Sequence, residues 1–294
     1  MNRNWLRSVA VATVAVATAV FLGAVAGGVA GIVMALSAIA AVVLLAVFLA
    51  GRVALSALQA QPVSEVEYPE LYRVVREISK AARLPAPRIY VSPALQPNSF
   101  AAGHSRRSSV VCCTEGLLRL LSPDELRGVL AHELAHVRER DTIVTSFSAG
   151  LAALITSVVS PAWFPSPGSA HFVLAGGVRG PDGGRRVLAG LTMLVLGPVA
   201  ALLLQLSVSR SREYQADRLG ARLAGDPLAL ARALRKIEAR TVELPLFPTG
   251  PLASASHLMI VNPFSCAGFT RLFSTHPPTG ERVYRLEGQA GCPR

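Results

Sequence analysis

Residues 8–51 carry no charged side chain. As a single helix, these 44 residues would extend about 66 Å, roughly twice the hydrocarbon thickness of a bilayer. The run therefore predicts two membrane spans joined by a tight turn. Ala26-Gly27-Gly28 is the place for that turn, because glycine supports turn conformations and each flanking piece has about 20 residues. Arg3, Arg7 and Arg52 flank the run as topology anchors, and a second span following at once argues against a cleavable signal peptide. Two later stretches, 143–178 and 187–208, also lack Asp, Glu, Lys and Arg. The second is long enough to span. The first is a candidate over 143–159, diluted by Thr145, Ser146, Ser148, Thr156 and Ser157, and ended by Pro161, Pro165 and Pro167. Four spans are expected, with two spans and a hydrophobic hairpin as the alternative.

Composition agrees with a membrane protein. Hydrophobic residues make up 51%, charged residues 16%, and the mean hydropathy is +0.44, too apolar for an ordinary soluble domain. The net charge of +11 rests on 27 Arg and 2 Lys. Scattered among acidic residues, without interleaved aromatics or a recognised motif, these cations do not point to nucleic acid. Cationic segments against anionic lipid headgroups fit them better. The four cysteines, Cys112, Cys113, Cys266 and Cys292, form no CxxC pair, so reduced, structural thiols on a cytoplasmic side are expected.

The chain divides into an N-terminal membrane hairpin (1–58), a first catalytic part (59–142), a second membrane hairpin (143–208) and a second catalytic part (209–294). In the first catalytic part, periodicity predicts a helix over 68–83 and short strands over 88–91, 98–103 and 108–113. A well-signposted helix follows, with Ser122 as N-cap, Pro123 at its first position and Glu125 completing a capping box. Residues 209–240 read as helix, and the prolines at 245, 248, 251 and 263 mark a loop-rich end. The fold expected is α+β and mainly α, with a small sheet.

The capped helix carries His132-Glu133-Leu134-Ala135-His136. Residues four apart lie on one helix face, so both imidazoles can share a zinc ion. Glu133 lies beside them, within reach of a water in an open fourth position, as the general base of a hydrolase does. A third protein ligand is required. No third histidine follows closely, since Glu139 and Thr142 hold the relevant positions. Glu213 and Asp217, also four apart, offer one carboxylate for the metal and one to accept an N–H bond from a ligating imidazole. Equally, the pair could offset Arg210, Arg212 and Arg218 on a solvated face.

His132 to His136, the segment 209–217 and Ser274-Thr275-His276-Pro277-Pro278 together resemble the HtpX-type integral membrane metalloproteases, in the same order and over nearly the whole chain. The resemblance implies a gluzincin-like domain integrated with about four spans, one Zn2+ per subunit held by His132, His136 and Glu213, and Asp217 behind them. It further implies ATP-independent endoproteolysis in membrane-protein quality control, acting on polypeptides, membrane proteins among them, at the cell (inner) membrane. Residues 98–103 are similar to the family's Asn-x-Phe-Ala-x-Gly element, a strand expected to align the substrate backbone, with Asn98 as a substrate contact. His276 could stabilise an oxyanion or bind substrate, or could serve the fold through its two prolines. One departure stands out: Val137-Arg138-Glu139-Arg140-Asp141 replaces an Asn-Gly-Asp turn. Four spans return the chain to its starting side, which places both termini and the catalytic site in the cytoplasm. Arg179, Arg185 and Arg186 oppose that topology. Rival readings are a processing protease for prenylated or otherwise specific peptides and a non-catalytic membrane scaffold that keeps zinc for structure.

Overall fold

The computed structural model describes residues 3–143, 145, 210–246, 252, 256–264 and 277–291. The second hairpin (beyond Ile143 and Thr145) and His276 lie outside these residues.

Helix α1 (Arg3–Ala57) breaks at Gly27 (φ −154°, ψ 20°) and Gly28 (φ 56°, ψ −135°). That is the turn position expected from the sequence, and the positive φ of Gly28 is one that glycine adopts without strain. Taken over the described residues alone, no helix is long and apolar enough to cross a membrane. The spans therefore stand on the uncharged run in the sequence.

Past α1, a four-stranded sheet forms from β1 (Gln61–Pro62), β2 (Arg88–Ser92), β3 (Ser99–Ala102) and β4 (Val110–Thr114) in the order β1-β2-β4-β3. β2 and β4 are parallel, and both edge strands pair antiparallel. The period-two alternation sends Ile89, Val91, Ala101, Val111 and Cys113 into the main core and Phe100, Ala102, Val110 and Cys112 to the other face. On that second face they meet Ala54 and Leu58 from the end of α1. The cysteines at 112 and 113 are free and buried.

The main core is helical: α2 (Pro69–Ala82), α3 (Glu115–Leu120), α4 (Pro123–Glu139), α5 (Arg210–Ala224), α6 (Pro227–Glu243) and α7 (Thr279–Gly291). α4 is central, packed against α2, α5, α6 and β3. Its capping box forms as the sequence predicts: Ser122 N donates to Glu125 Oε2 at 2.9 Å and Glu125 N to Ser122 Oγ at 3.4 Å. Such a cap contributes about 1 kcal/mol.

The stretch read as helical to about residue 240 is helical from Arg210 and falls into two helices, because Gly225 (φ 85°) ends α5 and Asp226 caps α6 by accepting from Leu228 N at 2.8 Å, with Pro227 opening the new helix. The loop-rich end contains a helix, α7, which buries Arg282, Val283 and Leu286.

α5 approaches α4 closely at Gly220, where a β-carbon would stand 2.8 Å from both N and Cα of His132. No rotamer relieves a clash against backbone. Gly220→Ala is expected to cost about 1–3 kcal/mol and to shift α5 along α4. A lowered melting temperature checks this; an unchanged one would mean that the two helices separate freely.

Candidate metal centre

One turn of α4 and the first turn of α5 bring His132, His136 and Glu213 together. The two Nε2 atoms are 3.2 Å apart. Glu213 Oε2 lies 3.8 Å from His132 Nε2, and Oε1 lies 3.6 Å from His136 Nε2. Tetrahedral zinc holds N and O donors at about 2.0–2.1 Å, which sets them about 3.3–3.5 Å from one another. The three side chains fit that requirement, and among the described residues they form a group that could hold a metal ion. His132 and Glu213 are buried, while the side chain of His136 keeps 14% of its exposure.

Each imidazole is oriented from behind. Asp217 Oδ1 is 3.0 Å from His132 Nδ1, and Asp141 Oδ2 is 3.2 Å from His136 Nδ1. Carboxylates at both Nδ1 positions hold an N–H there and turn both Nε2 atoms toward the cluster. Asp141 does this although α4 ends differently from the familiar turn. Arg140 takes the left-handed conformation (φ 63°, ψ 20°) that glycine or asparagine more often supplies, and the chain still brings Asp141 back beneath His136.

Behind Asp217 lies a group that sequence reasoning missed. Arg282 of α7 is 1% exposed. Its Nε donates to Asp217 Oδ2 at 2.9 Å and its Nη2 to Oδ1 at 2.7 Å, a bidentate pair. Nη1 donates to Ile260 O at 3.0 Å. Burial alone would raise the Asp217 carboxyl, but Arg282 and His132 hold it down at about 2. Hence Asp217 stays an acceptor at any ordinary pH. For His136, burial works downward; Glu213, Asp141 and Glu133 outweigh it and raise the imidazole to about 9.

Glu133 is 2% exposed, and Ser99 Oγ donates to its Oε1 at 2.8 Å. Ser99 belongs to edge strand β3, so the sheet holds the carboxylate that the helix presents. Asn98, expected as a substrate contact, immediately precedes this strand. It is buried, its Nδ2 donates to Val261 O at 3.0 Å, and its Oδ1 accepts from Ser99 N at 3.1 Å. Its carboxamide ties β3 to the segment 256–264, whose Ile260 N donates to Ser99 O at 3.0 Å. Part of the β3 edge is thus covered by the chain itself. Tyr214, next to Glu213, carries the Arg285 guanidinium over its ring at 4.0 Å, a packing role. His276 lies outside the described residues, and the structure places it nowhere relative to the cluster.

Comparisons with known proteins point the same way. Residues 65–290 match the model of peptidase family M48. The chain is 52% identical over 241 residues to a protein named protease HtpX homolog from Kineococcus radiotolerans, covering 82% of this chain and 80% of that one. A protein of the same name from Pyrococcus furiosus is 40% identical over 286 residues, covering 96% of this chain and 94% of its own. Among solved structures, Ste24p of S. mikatae superposes with a TM-score of 0.42 at 19% identity, covering 78% of this chain and 52% of that one; so slight a likeness carries no weight here.

Proposed function

We propose, from the premise that this chain belongs to peptidase family M48 and is a metalloprotease of the HtpX type, that it is a membrane-embedded zinc endopeptidase cleaving misfolded or membrane-associated polypeptides. The observation that carries this reading is the convergence of His132 Nε2, His136 Nε2 and the Glu213 carboxylate at 3.2–3.8 Å, beside a buried Glu133.

When bound, one zinc per subunit supplies Lewis acidity, polarising a peptide carbonyl and lowering the pKa of a water to about 7. The chain's own residues do the rest. His132 and His136 bind through Nε2 while Asp217 and Asp141 hold their Nδ1 protons. Glu133, next to His132 and fixed by Ser99, accepts a proton from the attacking water and returns it to the leaving amine. The described residues place no electrophilic helper, and His276 remains the candidate.

For the membrane, residues 8–51 with their Gly27–Gly28 break and residues 143–208 supply four spans, and both termini and the catalytic site face the cytoplasm of the cell (inner) membrane. His136 lies seven residues before Ile143, a rise of about 10 Å along a helix, so the metal would stand close to the bilayer surface, where clients leave it. A quality-control role fits that position.

Casein cleavage by the purified full chain in detergent tests the reading. Activity is expected to fall to background with a chelator and to return on adding zinc. Cleavage that persists through metal removal would overturn it.

A further inference from the structure

The hairpin between β3 and β4 adjoins no hydrophobic segment in sequence, yet the fold sets it against one. The His104 ring packs at a tilt of 57° against Phe48, inside the uncharged run, with ring centroids 4.7 Å apart. A β-carbon on Gly51 would lie 3.5 Å from Ala102 Cβ. The hairpin tip, His104-Ser105-Arg106-Arg107, therefore stands level with the point where residues 8–51 end and Arg52 begins. The turn is built internally: Ser105 and Ser108 hydroxyls lie 2.8 Å apart, and Ser109 Oγ donates to Arg106 O at 3.0 Å. That leaves both arginines exposed. Arg106 Nη2 reaches Arg138 O at 2.6 Å, near the C-terminal end of α4, which leads to the second uncharged stretch. Among the described residues, no carboxylate pairs with Arg52, Arg106, Arg107, Arg138 or Arg140.

We propose that the β3–β4 hairpin is a docking surface for the anionic lipid leaflet. Arg106 and Arg107 engage phosphodiester headgroups in concert with Arg52, Arg138 and Arg140. The occupant follows from charge and continuity. Unpaired cations collect where an apolar run ends, and the anionic face of a bilayer lies at that level if the run spans it. The inference rests on the membrane reading given above and goes beyond it, because span-flanking charge alone does not place residues 104–107 at the surface. Its consequence reaches the metal centre. The hairpin continues into β3, whose Ser99 holds Glu133, and Arg106 is bonded to the helix that carries both histidines. Headgroup contact would thereby steady the two elements that flank the cleavage site.

The test uses the full chain with Cys266 and Cys292 replaced by Ser, in nanodiscs of phosphatidylcholine alone or mixed equally with phosphatidylglycerol. A fluorophore on Ser105→Cys is quenched by nitroxide carried on lipid headgroups, and a second on Met34→Cys by nitroxide on acyl chains. Headgroup quenching at 105 is expected to be strong, stronger with the anionic lipid, and largely lost in R106E/R107E, since each arginine at an anionic surface strengthens local association by about fivefold. Absent quenching at 105 with quenching intact at 34 would overturn the docking surface and leave the spans standing. No quenching at 34 would overturn both. Quenching at 105 indifferent to lipid charge and to the double reversal would overturn the role of the arginines. Binding of a labelled oligonucleotide that R106E/R107E abolishes, with lipid quenching unchanged, would assign the patch to nucleic acid instead.

Discussion

Glu133→Gln is expected to reduce peptide cleavage by about 10²–10⁴-fold while leaving zinc content nearly unchanged. The substitution keeps the side chain's volume and lets Ser99 Oγ donate to the remaining carbonyl oxygen, so the local packing survives. It deletes the group that takes the proton from water. None of the atoms that would hold the metal belongs to Glu133; they are His132 Nε2, His136 Nε2 and the Glu213 oxygens. A casein assay paired with metal analysis separates the two effects. Cleavage within a few-fold of wild type would remove Glu133 from the mechanism, whereas joint loss of zinc and activity would make it a ligand.

The second large effect belongs to Glu213. Glu213→Ala leaves two imidazoles, too few to hold a catalytic zinc firmly, and removes a carboxylate that helps raise the His136 imidazole. The variant should purify largely free of metal, with activity at background. Asp217→Ala should behave differently, because the three ligands remain and only the support of His132 Nδ1 is gone. A loss of about 10–100-fold in zinc affinity is expected, recoverable with added metal. Removing Asp217 also strands Arg282, a buried cation whose bidentate partner it is, so a drop in melting temperature should accompany the weaker binding. Competition with a fluorescent zinc chelator reads both affinities. If Glu213→Ala retains zinc and His276→Ala loses it, the ligand set is three histidines.

Much of this centre could be read from sequence because its parts are local. The His132–His136 spacing puts two donors on one face of a helix whose start is written in Ser122, Pro123 and Glu125. The Glu213–Asp217 spacing repeats the logic on the neighbouring helix. The break in α1 was equally local, since Gly27-Gly28 is the weak point of an otherwise uninterrupted apolar run. What sequence did not disclose depends on tertiary contact. Arg282 lies 65 residues from Asp217, on a helix hidden behind Pro277 and Pro278 and diluted by three glycines, and an arginine by itself reads as surface. Ser99 reaches Glu133 only because strand alternation turns odd-numbered residues of β3 toward α4. Asp141 stood where the chain departs from the familiar turn, and nothing in that segment announces that a left-handed Arg140 would carry it beneath His136. Asn98 reads as a substrate contact from its place beside a substrate-type strand; its bond to Val261 O is again a tertiary contact that sequence does not disclose.

The central claim, that two imidazoles and a carboxylate hold the metal, is tested most directly by zinc K-edge X-ray absorption on the purified full chain loaded with one equivalent of zinc. The account predicts two imidazole signatures and oxygen donors, all at about 2.0–2.1 Å, with no sulfur. A sulfur shell at about 2.3 Å, which would bring in a cysteine, or three imidazoles without a carboxylate would contradict it.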